Sequence, residues 1–161
     1  MTRVYVDTSI VIALSDSNDE FHHSSVRFVG DLRNRQIVPS IGPPFLLEVA
    51  KASELRDSEA ASRLVRTVEE YEIVLTQALG DWLWDLLDQY VSRRVLGPRR
   101  MIDLMHYASA TLLKCTHLAS WDREHFNDSV AMRVNRVNSS AGLANLKVGD
   151  PITIARYLGL G

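Results

Sequence analysis

Asp7, Glu48, Asp103 and Asp122 are the residues of this 161-residue chain whose types and surroundings could do chemistry together. Asp7 ends a β-rich run, RVYVD, and Asp122 stands two residues past a second such run, THLAS. In an open parallel sheet, ligands bind beyond the carboxyl ends of the strands, so both acids should reach one edge. Glu48 and Asp103 fall early in helical segments that follow a strand or the Gly97-Pro98 break. A helix N-terminus tolerates negative charge and can point it at the same cleft. Singly, each acid has an ordinary reading: Asp7 as a helix cap, Asp103 as a first-turn acid, Asp122 as the opening of a turn, Glu48 as a solvated helix residue. Together those readings fit less well. Glu48 lies within the apolar stretch PFLLEVA, where burying an unpaired carboxylate costs several kcal/mol. Asp103 lies between Ile102 and Leu104. Carboxylates that face one another repel unless a cation neutralises them. An oxygen-only donor set selects a hard cation such as Mg²⁺ or Mn²⁺. The matching chemistry is metal-activated water attacking a phosphodiester.

Elements that could position these acids alternate along the chain. Strand character is expected over residues 3–7, 36–41, 72–76, 116–120 and 133–137. Helices are expected over 19–35, through PPFLLEVAKASEL, and over 57–70, 79–95 and 100–114, with a short terminal helix in PITIARYL. SIVIAL fits a helix or a continued strand. Strands alternating with helices predict one α/β domain over 1–161, with a mostly parallel sheet covered on both faces. Composition agrees: 46% hydrophobic and 24% charged residues exclude disorder as the default. Cys115 is the only cysteine, which excludes a disulfide framework and fits a reducing compartment. No signal peptide and no apolar run of membrane-spanning length is visible, so a cytoplasmic location and no membrane partner are expected. A net charge of −2 excludes bulk polycation binding. The fifteen Arg against three Lys favour bidentate recognition of phosphate or carboxylate.

Five segments, in order, carry a family resemblance: VYVDTSIVIAL, FLLEVAKA, DLMHYASA, LASWDREHF, and RVNRVN followed by Gly142, Leu146, Val148 and Pro151. Together they resemble the PIN-domain ribonucleases, in particular the VapC-like toxins of type II toxin–antitoxin systems. DLMHYASA follows that family's D-x-x-H-x-A-x-A helix. Two features depart from the pattern. Ser40 lies eight residues before Glu48, a longer gap than expected, and Asp122 stands where one subgroup often has Asn. The resemblance implies a three-layer α/β/α sandwich, dependence on Mg²⁺ or Mn²⁺, and hydrolysis of RNA to a 5′-phosphate and a 3′-hydroxyl. It also implies a cognate VapB-like antitoxin and a homodimer. In that reading Asp7 and Asp103 are the main metal ligands. Asp122 and Glu48 complete the site directly or through water, and Thr8 or Ser9 hydrogen-bonds a carboxylate or a bound water. The alternative is a non-catalytic PIN-like module that binds RNA or protein. A phosphatase opening on a strand-terminal Asp is a third reading, but position 9 is Ser where such enzymes need a second Asp.

Other residues carry paired readings. His106, one helical turn after Asp103, is expected as a structural histidine beside the site. Arg93, Arg94, Arg99 and Arg100 bracket Gly97-Pro98 as a solvated turn or as a clamp on RNA phosphates. Trp121 either packs or stacks a base. His125 and Asn127 either line the cleft or make a turn. Trp82, Trp84, Leu86, Leu87 and Tyr90 are read as core or dimer surface, His22 and His23 as surface, and Cys115 as a buried apolar residue.

Overall fold

The computed structural model describes residues 1–54 and 58–160, without the side chains of 52–54. Its elements run β1 (Arg3–Val6), α1 (Thr8–Ser15), α2 (His22–Asn34), β2 (Val38–Ile41), α3 (Pro44–Glu54), α4 (Ser58–Glu70), β3 (Val74–Leu75), α5 (Asp81–Ser92), a 3₁₀ turn (Pro98–Arg100), α6 (Met101–Leu112), β4 (His117–Ala119), α7 (Asp128–Ser140), β5 (Lys147–Gly149) and α8 (Pro151–Tyr157). The five strands form one parallel sheet in the order β3-β2-β1-β4-β5. SIVIAL is thus helical, within α1, and residues 55 and 57 of the expected helices lie outside the described residues.

The sheet order explains where a site can form. From β1 the chain moves outward through β2 to β3, then returns to the other side of β1 for β4 and β5. The strand order therefore reverses beside β1, and the crevice at such a reversal is where open α/β sheets bind ligands. β1 is the hydrophobic centre: Val4, Tyr5 and Val6 are fully buried, as strands covered on both faces should be. The residue straight after β1 is Asp7, and the loop straight after β4 carries Asp122.

One expected strand is a helix. Residues 133–137, RVNRV, lie inside α7, where Val130, Val134, Val137 and Asn138 are buried at helical spacing. Two valines in a short window mimic strand propensity, but the period of burial across the longer segment decides for a helix. The fifth strand is Lys147–Gly149 instead. Three residues are too few to show alternation, and Val148 alone of them is fully buried. Asn135 of α7 caps the approach to this edge: its Oδ1 accepts from Leu146 N at 2.8 Å and its Nδ2 donates to Leu146 O at 2.9 Å.

α5 buries Leu83, Leu86, Leu87 and Tyr90. Trp82 and Trp84 fall off that face and are largely exposed, so they are not core. A buried polar knot ties α5, α6 and α7 together. The Tyr90 hydroxyl donates to Asn138 Oδ1 at 2.7 Å, and Asn138 Nδ2 donates to Thr111 Oγ1 at 3.0 Å and to Ala144 O at 3.1 Å. Asn138→Ala removes a fully buried hub and strands these partners, so it should lower stability by about 2–3 kcal/mol. Urea unfolding measures it, and an unchanged midpoint would show that water replaces the amide without loss. Cys115 is buried, and burial pushes its thiol up to about 12.

Candidate active site

Asp7 is both a helix cap and part of the cleft. Its Oδ1 accepts from the backbone N of Ser9 at 3.2 Å and from Ser9 Oγ at 2.5 Å, which starts α1. Its Oδ2 accepts from Ser120 Oγ at 2.8 Å, which fixes it to the end of β4. Ser120 Oγ in turn accepts from the backbone N of Asp122 at 3.0 Å. One serine thus couples the two strand-terminal acids. Asp7 is buried, and burial pushes its carboxyl up to about 6. The charge on Glu48 adds to the push, while His106, Ser9 and Ser120 restrain it.

Glu48 is reached from α3 and held from both sides. Thr8 Oγ1 donates to its Oε2, and His106 Nε2 lies 3.0 Å from the same oxygen. A carboxylate only accepts, so Nε2 donates to Glu48, and on the other side of the ring the Tyr5 hydroxyl lies 2.9 Å from Nδ1. The Tyr5 oxygen accepts from Gly42 N at 3.0 Å. A Cβ at Gly42 would stand 2.7 Å from Ser109 Cβ, so the close approach of β2 and α6 behind this relay requires glycine. Burial raises the Glu48 carboxyl, but the hydrogen bond and charge of His106, with Thr8 and Lys51, bring it below the ordinary range.

Asp103 and Asp122 meet around a third residue. Asp122 Oδ1 accepts from the backbone N of Glu124 at 3.0 Å and of His125 at 3.2 Å. His125 Nδ1 lies 2.9 Å from Asp122 Oδ2 and 3.8 Å from Asp103 Oδ2. One ligand atom from each of the three residues lies within 4.8 Å of the others. Burial and the neighbouring Asp122 raise the Asp103 carboxyl against the pull of His125, His106 and Arg100. Burial also raises Asp122, but His125 outweighs it and holds that carboxyl low.

The acids near the ends of β1 and β4 thus fall in two groups, and only Asp103 and Asp122, with His125, bring ligand atoms within 4.8 Å of one another. Asp103 and Asp122 form one pair, Asp7 and Glu48 flank it, and His106 acts electrostatically on Asp7, Glu48 and Asp103 alike. The family model of the PIN domain matches residues 4–128. The chain belongs to the PIN domain family. That match takes in every one of the four acids. The fold of this PIN domain is also similar to the crystal structure of Mycobacterium tuberculosis VapC20, a toxin that cleaves the sarcin–ricin loop. The TM-score is 0.53 at 17% identity, over 88% of this chain and 96% of that one. No curated protein matches the chain.

The donor set of this PIN domain suits a hard divalent cation. Asp103 and Asp122 offer carboxylate oxygens and His125 an imidazole nitrogen within 4.8 Å of one another, while Asp7 and Glu48 stand outside that group. His125 is one of the residues that the sequence leaves between two roles. Its signal was the spacing of three after Asp122, which places the ring back over that carboxylate in a tight turn. Asn127 takes the turn role: its Oδ1 accepts from Val130 N and caps α7. Trp121 is engaged structurally, stacked on Phe21 with ring centres 4.2 Å apart and donating from Nε1 to Ser25 Oγ at 2.9 Å. It pins the β4 loop against α2 and leaves one face for a base at most. Arg99 and Arg100 are exposed on the 3₁₀ turn that leads into α6, and Arg100 acts on Asp103.

Proposed function

We propose that this PIN domain is a divalent-metal-dependent endoribonuclease and the toxin of a toxin–antitoxin pair. The observation that carries the reading is the cluster of Asp103, Asp122 and His125, tied through Ser120 to Asp7, where the strand order reverses. A scaffold that only bound RNA would gain nothing from carboxylates clustered there, because they repel both one another and phosphate. Asp7, Asp103 and Asp122, with Glu48, would hold Mg²⁺ or Mn²⁺. When bound, such an ion polarises the scissile phosphate and lowers the pKa of an attacking water.

The chain's own residues supply position. Ser9 and Ser120 fix both oxygens of Asp7. Tyr5, His106 and Thr8 fix Glu48, and His125 orients Asp122. Hydrogen-bonding partners of this kind typically change metal affinity or activity by ~10–100-fold. Arg99 and Arg100 face solvent beside Asp103 and would meet RNA phosphates. The partners in this reading are RNA, a VapB-like antitoxin and a second copy of the chain, in the cytoplasm. Among the described residues no helix is long and apolar enough to cross a membrane.

The test is metal removal. EDTA should abolish cleavage of a structured RNA, and Mg²⁺ or Mn²⁺ should restore it. The sarcin–ricin loop hairpin, which VapC20 cleaves, is the first substrate to try. Undiminished cleavage in EDTA by protein free of contaminating nuclease would refute metal dependence. RNA binding without cleavage in either ion would leave the non-catalytic module.

A further inference from the structure

The basic residues of this chain are not spread evenly over its surface. Arg27, Arg33 and Arg123 are each paired with a carboxylate, Asp31, Glu72 and Asp150. Among the cations with no such partner in the described residues, seven lie on adjoining surfaces. They begin at Arg99 and Arg100, beside Asp103. They continue at Arg94 and Arg133, which line a shallow cavity of about 430 Å³ around Gly97-Pro98. They end at Arg93, Arg136 and Lys147, which line an open groove of about 730 Å³ between the end of α5, α7 and β5.

Local structure produces this alignment. Arg93 and Arg94 are consecutive at the end of α5, while Arg133 and Arg136 lie one turn apart on the exposed face of α7. Residues three apart on a helix are neighbours, so this pair presents two guanidinium groups along one line. Lys147 stands at the start of β5, the opposite end of the sheet from the acids, with Nζ 5.3 Å from the centre of the Tyr157 ring. Asp128 is the one acid on the groove rim, against three cations. Exposed cations of like sign without counter-charges repel one another, and a polyanion relieves that repulsion while releasing its own counterions.

We propose that the α5–α7–β5 groove, through Arg93, Arg136 and Lys147, is a second phosphate-binding site that holds RNA backbone remote from the bond being cut. The inference rests on the endoribonuclease reading and deepens it: a substrate with backbone at both the acids and this groove is a folded or long RNA rather than a short fragment. An acidic protein segment would also find charge here. RNA is favoured because Arg94 and Arg133, around Gly97-Pro98, stand between the groove and the turn that carries Arg99 and Arg100 ahead of Asp103.

The experiment is equilibrium binding of a fluorescent RNA hairpin in EDTA, so that no cleavage intervenes, across a salt series. Arg93→Ala/Arg136→Ala/Lys147→Ala is compared with the parent and with Arg27→Ala/Arg33→Ala/Arg35→Ala, which removes the same charge from exposed positions on α2 and at its C-cap. Thermal unfolding checks that each folds. The groove variant should lower the slope of log K against log salt by about 2, for three contacts at ~0.7 each. If affinities converge near 1 M salt, that slope gives about 100-fold weaker binding near 0.1 M. The α2 variant should leave the slope at the parent value. Equal slopes and affinities for parent and groove variant would overturn the proposal while leaving the nuclease reading intact. So would a groove variant that loses binding to polyglutamate but keeps its hold on RNA, which would assign the groove to an acidic protein. A parent protein that neither binds nor cleaves RNA would overturn the nuclease reading itself.

Discussion

Asp7→Asn should abolish RNA cleavage while leaving the metal-free protein as stable as the parent or more so. The two halves of this expectation separate the cap from the charge. As a cap, Asn serves about as well as Asp. Its oxygen can accept from Ser9, and its amide can donate to Ser120 Oγ once that hydroxyl turns its own hydrogen away. As a charge, Asp7 is unfavourable in the metal-free protein. Burial, with Glu48 nearby, raises its carboxyl to about 6 from an ordinary 3.8. The folded chain therefore holds that proton more tightly than the unfolded chain does. The sign follows from linkage: metal-free stability should fall as pH rises from about 4 to about 6 and level off above, a loss of up to about 3 kcal/mol. Asp7→Asn lacks the titrating group, so its advantage over the parent should appear only as pH climbs through that window. Mn²⁺ should reverse the ranking. At ~100 Kd it adds ~2.7 kcal/mol to the parent through selective binding to the folded state, and much less to the variant. Thermal unfolding from pH 4 to 8, with and without Mn²⁺, is read beside a cleavage assay. Near-parent cleavage by the variant would remove Asp7 from the ligand set, and a flat pH profile in the metal-free parent would remove the argument from burial.

The positions of these acids are legible in the sequence because strand ends are. Asp7 and Asp122 each follow a short β-rich run, and a parallel sheet sends such residues to one edge whatever the loops do. Glu48 and Asp103 were legible for a different reason: a carboxylate inside an apolar helical stretch has to find a partner. Sequence gave no access to how the partners are shared. Ser120 bridges Asp7 and Asp122, and Tyr5, at the centre of the sheet, reaches His106, 101 residues away in the chain. Such pairings depend on the register of β1 against β2 and β4, which no local pattern encodes. The misread strand at 133–137 has a local cause. A five-residue window holds too little of the helical period, and the burial of Val130 and Asn138 on either side was needed to see it. The groove at the far end of the sheet was invisible for a related reason. Arg93, Arg136 and Lys147 come from three elements, and only the true position of β5 brings them to one surface.

His106→Ala should cost about 2–4 kcal/mol and should do so through Glu48. The ring is nearly fully buried and is bonded on both nitrogens, to the Tyr5 hydroxyl and to Glu48 Oε2. Truncation leaves a cavity, a buried Tyr5 hydroxyl with one partner fewer, and a carboxylate that has lost its main stabilising neighbour. A fully buried pair broken in this way costs roughly 3–5 kcal/mol. Part of Glu48 meets solvent, with its side chain 31% exposed, so the lower figure applies here. Loss of packing alone would give a destabilisation of similar size, so the single variant does not isolate the relay. A double-mutant cycle with Glu48→Gln does. Gln keeps the size of the side chain and an acceptor for Thr8, and removes only the charge that faces His106. If His106 stabilises Glu48 as a carboxylate, the two substitutions should be less than additive by about 1–2 kcal/mol in urea unfolding at neutral pH with EDTA present. Additivity to within about 0.5 kcal/mol would mean that His106 acts as a packing residue only. The use of EDTA makes the result specific. A coupling measured without any divalent ion belongs to side chains of α1, α3 and α6 that are already in place, so Glu48 would be held toward the cleft before a cation arrives.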